Sequence, residues 1–259
     1  MGKKDQQQSL DKVLPHGLVA TKQWLLGQGF SRHALDNAVK SGRLVSRLGG
    51  VYSQANVQLS GYGVVCSLQR MMAQPVVVGG LSALALQGFA HYLSSGKETT
   101  LHLYSPDKAP RWLNKLLLEV NFVWHGCGRI WQDEVIAREN LQVSHPWRED
   151  LPPLRLSSPE RAVLEALAEV PDKLSFEHAD ELMQGLTSLS PRKLQFLLEH
   201  CESIKVKRLF FWLAERQGYA WLQRLEPTRI NFGTGKRMLC KGGKLNNKYQ
   251  ITVPVEMHG

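Results

Sequence analysis

The sequence predicts an α+β protein: a winged helix-turn-helix at the N-terminus, followed by a mixed α/β, largely helical C-terminal domain. Three observations lead there. Two short amphipathic segments are joined by a glycine-containing turn and followed by β-prone runs that meet at Gly49-Gly50. Apolar and polar residues alternate over 99–105 and at Val120, Phe122 and Trp124, as in half-buried strands. Beyond Ser157 the pattern turns helical, with Ser-Pro start signals at Ser158-Pro159 and Ser190-Pro191.

In chain order, Thr21 is placed to cap a short helix bearing Trp24 and Leu25, and Gly27 and Gly29 then loosen the chain into a turn. Ser31 is a good N-cap for Arg32 to Lys40, whose Ala34, Leu35, Ala38 and Val39 form one apolar stripe, and Ser41-Gly42 ends it. The run from Arg43 to Tyr52 reads as a hairpin. Tyr62, Val65, Leu68 and Met72 repeat at helical spacing, and a buried helix is expected from Leu81 to Leu93 after the Gly79-Gly80 break. A proline-rich break covers Pro146 to Pro153. Ala162, Val163, Ala166, Leu167 and Val170 share a helix face that Pro171 stops; Leu194, Leu197, Leu198 and Cys201 mark a second helix. Ile204 to Gln217 is a third, closed by Gly218. Gly242-Gly243, between Met238-Leu239 and Tyr249 to Val255, suggests a terminal hairpin. The expected division is 1–95, the DNA-binding unit with bridging helices, and 96–259, the α/β domain.

The 32 Lys and Arg outnumber the 23 Asp and Glu, and the excess is uneven. Residues 1–56 carry eight basic and three acidic side chains, 57–204 carry 13 and 17, and 205–259 carry 11 and three. Two basic ends flanking an acidic middle suit two polyanion-facing or acid-facing surfaces; solvated lysines that keep a protein dispersed are the plainer alternative. Cys66, Cys127, Cys201 and Cys240 are scattered without a C-x-x-C pair, which argues for reduced thiols rather than a disulfide framework or zinc ribbon. Met1-Gly2 lacks the Ser or Thr that myristoylation requires at position 6, where Gln6 stands, and no apolar signal segment follows. Val76 to Leu93 is interrupted by Gly79, Gly80, Ser82, Gln87 and His91. The expectation is a cytoplasmic chain without membrane spans.

Helix 32–40 presents Arg32, His33, Asp36, Asn37 and Lys40 opposite its apolar stripe. Arg and Asn are the side chains that make bidentate contacts with guanine and adenine edges. Ser31 with the first-turn N–H groups suits a phosphate, and Lys22, Arg43 and Arg47 lie where backbone anchors are needed. The competing reading is an amphipathic helix pair with a solvated polar face. His125-Gly126-Cys127 has no second ligand pair at zinc spacing, and the acids Asp133-Glu134, Glu149-Asp150 and Glu160 show no spacing that singles out a nuclease metal site. No cofactor, metal or catalytic residue is expected. Gly233-Thr234-Gly235-Lys236-Arg237 lacks Walker spacing and a following helix, and reads as a basic turn. A second polyanion or partner surface is expected from Arg155, Arg161, Lys205, Lys207, Arg208, Arg216, Lys236, Arg237, Lys241 and Lys244.

Three segments carry a family resemblance: Gly29 to Tyr52, Gly80 to Gly88 and Leu156 to Ala162 with the helix that follows. Together they make the chain similar to the AbiEi antitoxins and transcriptional regulators of AbiE-type (type IV) toxin-antitoxin systems. The resemblance implies a winged helix-turn-helix on inverted repeats in the operon's own promoter, with recognition at Arg32, His33, Asn37 and Lys40 and wing contacts at Arg43 and Arg47. It also implies a C-terminal domain that neutralises a nucleotidyltransferase-like toxin, by direct contact or without it. A stand-alone winged-helix transcription factor and a DNA-targeted nuclease are the alternatives.

Overall fold

The computed structural model describes residues 10–89, 99–136 and 138–257. A helical segment at 10–13 leads into β1 (Val19–Thr21), α1 (Lys22–Gly27), α2 (Arg32–Lys40), β2 (Leu44–Leu48) and β3 (Val51–Gln54). The caps are those the sequence suggests. The Thr21 hydroxyl accepts from the Trp24 N–H, and that of Ser31 from the Ala34 N–H at 3.1 Å. Both helices end in the same device. Gly29 and Gly42 sit at φ of 92° and 71°, and the N–H pairs Gly29/Phe30 and Gly42/Arg43 donate back to Leu26/Leu25 and Val39/Ala38. This double closure satisfies the last carbonyls and turns the chain sharply, which only glycine accommodates cheaply. The three strands form an antiparallel sheet in the order β1-β3-β2, and the hairpin turns at Gly49-Gly50.

α3 (Gly61–Met71) joins this unit to the rest: its Ser67 hydroxyl accepts the Val19 N–H of β1. Gly63 allows that approach, since a Cβ there would lie 2.1 Å from the Gly17 carbonyl oxygen. The larger sheet runs β6-β5-β4-β8-β7, from β4 (Val77–Val78), β5 (Thr99–Ser105), β6 (Val120–Gly126), β7 (Gln142–His145) and β8 (Leu154–Ser157). β5–β6 and β4–β8 are parallel, and the other two pairs antiparallel. β4 and α4 (Gly80–Leu86) precede residue 95, yet β4 is the centre strand of this sheet. α4 stops at Leu86, closed by Gly88 at φ 81°, so the expected run to Leu93 is shorter; its last four residues, like Met1 and Gly2, lie outside the described residues.

After α5 (Asp133–Ile136) come four longer helices, α6 (Pro159–Leu167), α7 (Phe176–Gln184), α8 (Pro191–Glu199) and α9 (Ile204–Gln217). β9 (Lys244–Asn246) and β10 (Ile251–Val253) form the terminal hairpin, which turns at 247–250 rather than at Gly242-Gly243. The core is continuous from Leu10 to Met257. At its centre Glu165 of α6, with no exposed surface, accepts from Arg161 Nε (2.7 Å), the Trp131 indole (3.1 Å) and the Gly80 N–H that opens α4 (3.0 Å). One carboxylate thus ties two helices and a loop together.

Candidate nucleic-acid interface

α2 buries Leu35 and Ala38 and leaves Arg32, His33, Asp36, Asn37 and Lys40 exposed. That division follows from the 3.6-residue period. Arg32 and Lys40 have no partner among the described residues, so their charges are free for an incoming anion. The Asn37 side-chain nitrogen lies 3.2 Å from His33 Nδ1, one turn away, which holds both groups on the same outward face. Ser31 spends its acceptor on the helix cap, and its hydroxyl hydrogen stays available. Lys22 pairs with Asp36 at 3.2 Å, an exposed link between α1 and α2. The exposed pair is worth at most about 1 kcal/mol, so a phosphate could draw Lys22 away from Asp36.

The hairpin departs from expectation at Arg47. Its Nε donates to Ser53 Oγ (2.7 Å) and its Nη2 to the Val57 carbonyl (2.9 Å), so the guanidinium ties the hairpin to the chain that leaves it. Arg43 is half-buried and donates to Ser41 Oγ at 3.3 Å.

The ten cations expected to share a second surface divide into three groups. Arg161, Lys207 and Arg208 are 1–3% exposed and correct that expectation, because burial removes them from any surface ligand. Arg161 belongs to Glu165, and burial lowers the pKa of Lys207. Arg208 donates to four backbone carbonyls: Phe232, Gly233, Gly235 and Gln250. Three more are engaged inside the fold: Lys205 with the Ala168 and Val170 carbonyls at the end of α6, Arg155 with Gln69, and Arg216 with Asp180 and the Met257 carbonyl. Lys236, Arg237, Lys241 and Lys244 remain exposed, and none of their side chains has a partner among the described residues.

The sequence gives no hint of a chain of hydrogen-bonding groups at the other end of α6. His102 Nδ1 is 2.9 Å from His125 Nε2, and His125 Nδ1 is 3.4 Å from Glu169, which also pairs with Lys173. The His125 hydrogen bond holds Glu169 down to about 2, while burial and then the His125 charge bring His102 down to about 4. The three groups come together only because β5 and β6 pair in register and α6 ends above them. Among the described residues no group of three or more His, Cys, Asp or Glu side chains is arranged to hold a metal ion.

Two family models match the chain. Residues 3–95 match the transcriptional regulator, AbiEi antitoxin N-terminal domain, and residues 98–254 match the transcriptional regulator, AbiEi antitoxin of type IV toxin-antitoxin systems. The chain belongs to the AbiEi antitoxin family. No curated protein sequence matches it. Among solved structures, the RV2827C protein from Mycobacterium tuberculosis shares the fold with a TM-score of 0.53 at 18% identity, over 95% of this chain and 88% of that one. Within this AbiEi antitoxin, Leu156 to Ala162 and Gly80 to Gly88 are packing motifs: α4 lies against α6, and Glu165 seals the join. No described helix is long and apolar enough to cross a membrane.

Proposed function

We propose that this AbiEi antitoxin binds double-stranded DNA in its own promoter through α2 and represses its operon, and that its C-terminal half neutralises a nucleotidyltransferase-like toxin. The observation that carries the DNA reading is the free outer face of α2. Arg32, Asn37 and Lys40 project from a helix capped at both ends and seated on Leu35 and Ala38, so their positions are set before DNA arrives. α1, α2 and the β2–β3 hairpin follow one another in the order of a winged helix-turn-helix, which lays its second helix in the major groove.

Within this reading Arg32 and Asn37 contact base edges, Lys40 and Lys22 contact phosphates, and Ser31 with the α2 N-terminus receives a further phosphate. Arg47 shapes the wing from within. Inverted repeats follow if two copies occupy one operator, each α2 entering one major groove. The toxin role rests on the family and is tested by co-expression with the neighbouring toxin gene. Restored growth supports it, and unrelieved inhibition removes it. A titration comparing Arg32→Ala on promoter and unrelated duplex tests the DNA role: selective loss on the promoter supports base reading, whereas equal loss on both makes Arg32 a phosphate contact.

A further inference from the structure

From Pro227 to Val255 the chain carries Arg229, Lys236, Arg237, Lys241, Lys244 and Lys248 and no acidic residue in 29 positions. Charge alone does not make a site. What distinguishes this segment is how Arg208 shapes its first loop.

The Arg208 guanidinium, 3% exposed, draws in the carbonyls of Phe232 (2.8 Å), Gly233 (3.1 Å) and Gly235 (2.7 Å). In a trans peptide the C=O and the following N–H point in opposite directions. Carbonyls turned in on Arg208 therefore turn the N–H groups of Gly233, Thr234 and Lys236 outward. The Asn231 side chain takes the first of these at 2.8 Å, while those of Thr234 and Lys236 have no partner among the described residues. Gly233 and Gly235, at φ of 62° and 75°, provide the left-handed conformations that the path needs. The exposed Thr234 hydroxyl and the Lys236 and Arg237 side chains lie on the same loop. Outward amides beside cations at left-handed glycines are the groups from which anion-binding turns are built.

We propose that Gly233-Thr234-Gly235-Lys236-Arg237 is a phosphate-binding loop for the backbone of duplex DNA, preset by the buried Arg208. A polymer fits better than a free nucleotide. The loop is exposed rather than enclosed, and Lys241 and Lys244 continue the exposed positive charge along the tail. The assignment deepens the DNA-binding reading but needs no base recognition.

The test is fluorescence anisotropy of the full chain on labelled promoter and unrelated duplex across a salt series, with Lys236→Ala/Arg237→Ala compared with Arg32→Ala. Both replaced side chains are exposed and have no partner among the described residues, so the fold is expected to survive. Two lost phosphate contacts lower the slope of log affinity against log salt by about 1.8 and weaken both duplexes about tenfold or more at low salt. An unchanged slope in the double variant, while Arg32→Ala still weakens promoter binding, overturns the loop assignment and leaves the α2 reading standing. A lowered slope together with no promoter preference in the wild type supports the loop and removes the operator reading. Saturable shifts of the Thr234 and Lys236 amide resonances with inorganic phosphate, with the duplex slope unchanged in the double variant, assign the loop to a free anion and overturn the duplex assignment.

Discussion

Replacing Glu165 by Gln isolates the interaction that joins α4, α6 and the Trp131 loop. The substitution keeps the shape and removes the charge. Arg161, 1% exposed, loses the carboxylate it pairs with, and among the described residues its Nη1 already lacks a hydrogen-bond acceptor. Oε1 receives both Arg161 Nε and the Trp131 indole, while Oε2 receives the Gly80 N–H. A Gln amide has one acceptor oxygen, so at least one of those donors faces an NH2 group. Removing one partner of a buried ion pair costs about 3–5 kcal/mol. Against a total stability of about 5–15 kcal/mol that is a large share, and it lowers Tm by roughly 10 °C in a chain of this size. Urea unfolding with an unchanged m-value measures it. Arg161→Met combined with Glu165→Gln leaves no unpaired charge and is expected to cost much less than the sum of the single changes. A Glu165→Gln midpoint matching the wild type, or strict additivity in the double variant, would refute the reasoning.

Arg47→Ala removes bonds to Ser53 Oγ and the Val57 carbonyl, so it lowers stability by about 1–3 kcal/mol as well as weakening DNA binding; unchanged unfolding would show those bonds idle. Lys40→Ala, at an exposed position that we propose contacts phosphate, is expected to weaken promoter and random duplex alike and to lower the salt slope by about 0.9, which anisotropy reads directly. The pH dependence follows from His102 and Glu169. Both titrate lower in the folded chain than in the unfolded one, so the unfolded chain takes up protons first on acidification. Stability is therefore lost from about pH 6.5 towards 4 through His102, and from about 4.5 towards 2 through Glu169. The His102 share is at most about 3 kcal/mol and is reduced by partial contact with solvent. Urea midpoints for His102→Gln are expected to be flat between pH 6.5 and 4.5; a fall as steep as the wild type's would contradict the assignment.

Local signals were legible in the sequence. The caps at Thr21 and Ser31, the glycine stops at Gly29 and Gly42, the Gly49-Gly50 turn and the Ser-Pro helix starts all depend on residues within a few positions of one another, and all are present. What escaped depends on partners far along the chain. β1 and β4 are three and two residues long and exist because β3, β5 and β8 present backbone to them. β8 follows a proline-rich stretch that reads as a break. The Ser-Pro start does not extend to α7, which Ser175 caps without a following proline. The same limit applies to the cations. Arg32 and Lys40 could be placed on the outer face because an apolar stripe fixed the inner one. Lys207 and Arg208 follow one another in a helix whose Val206 and Leu209 to Ala214 are all buried, and there the sequence shows no outer face. Arg208 acts through carbonyls, which leave no trace in residue type.

The central claim is sequence-specific DNA binding from α2. A titration of the purified protein on its own upstream promoter and on unrelated DNA of equal length, at two salt concentrations, tests it most directly. A promoter preference of about a thousandfold or more that persists at the higher salt is the predicted result. Equal affinity for both duplexes, falling together as salt rises, would contradict it and reduce α2 to a cationic face without a code.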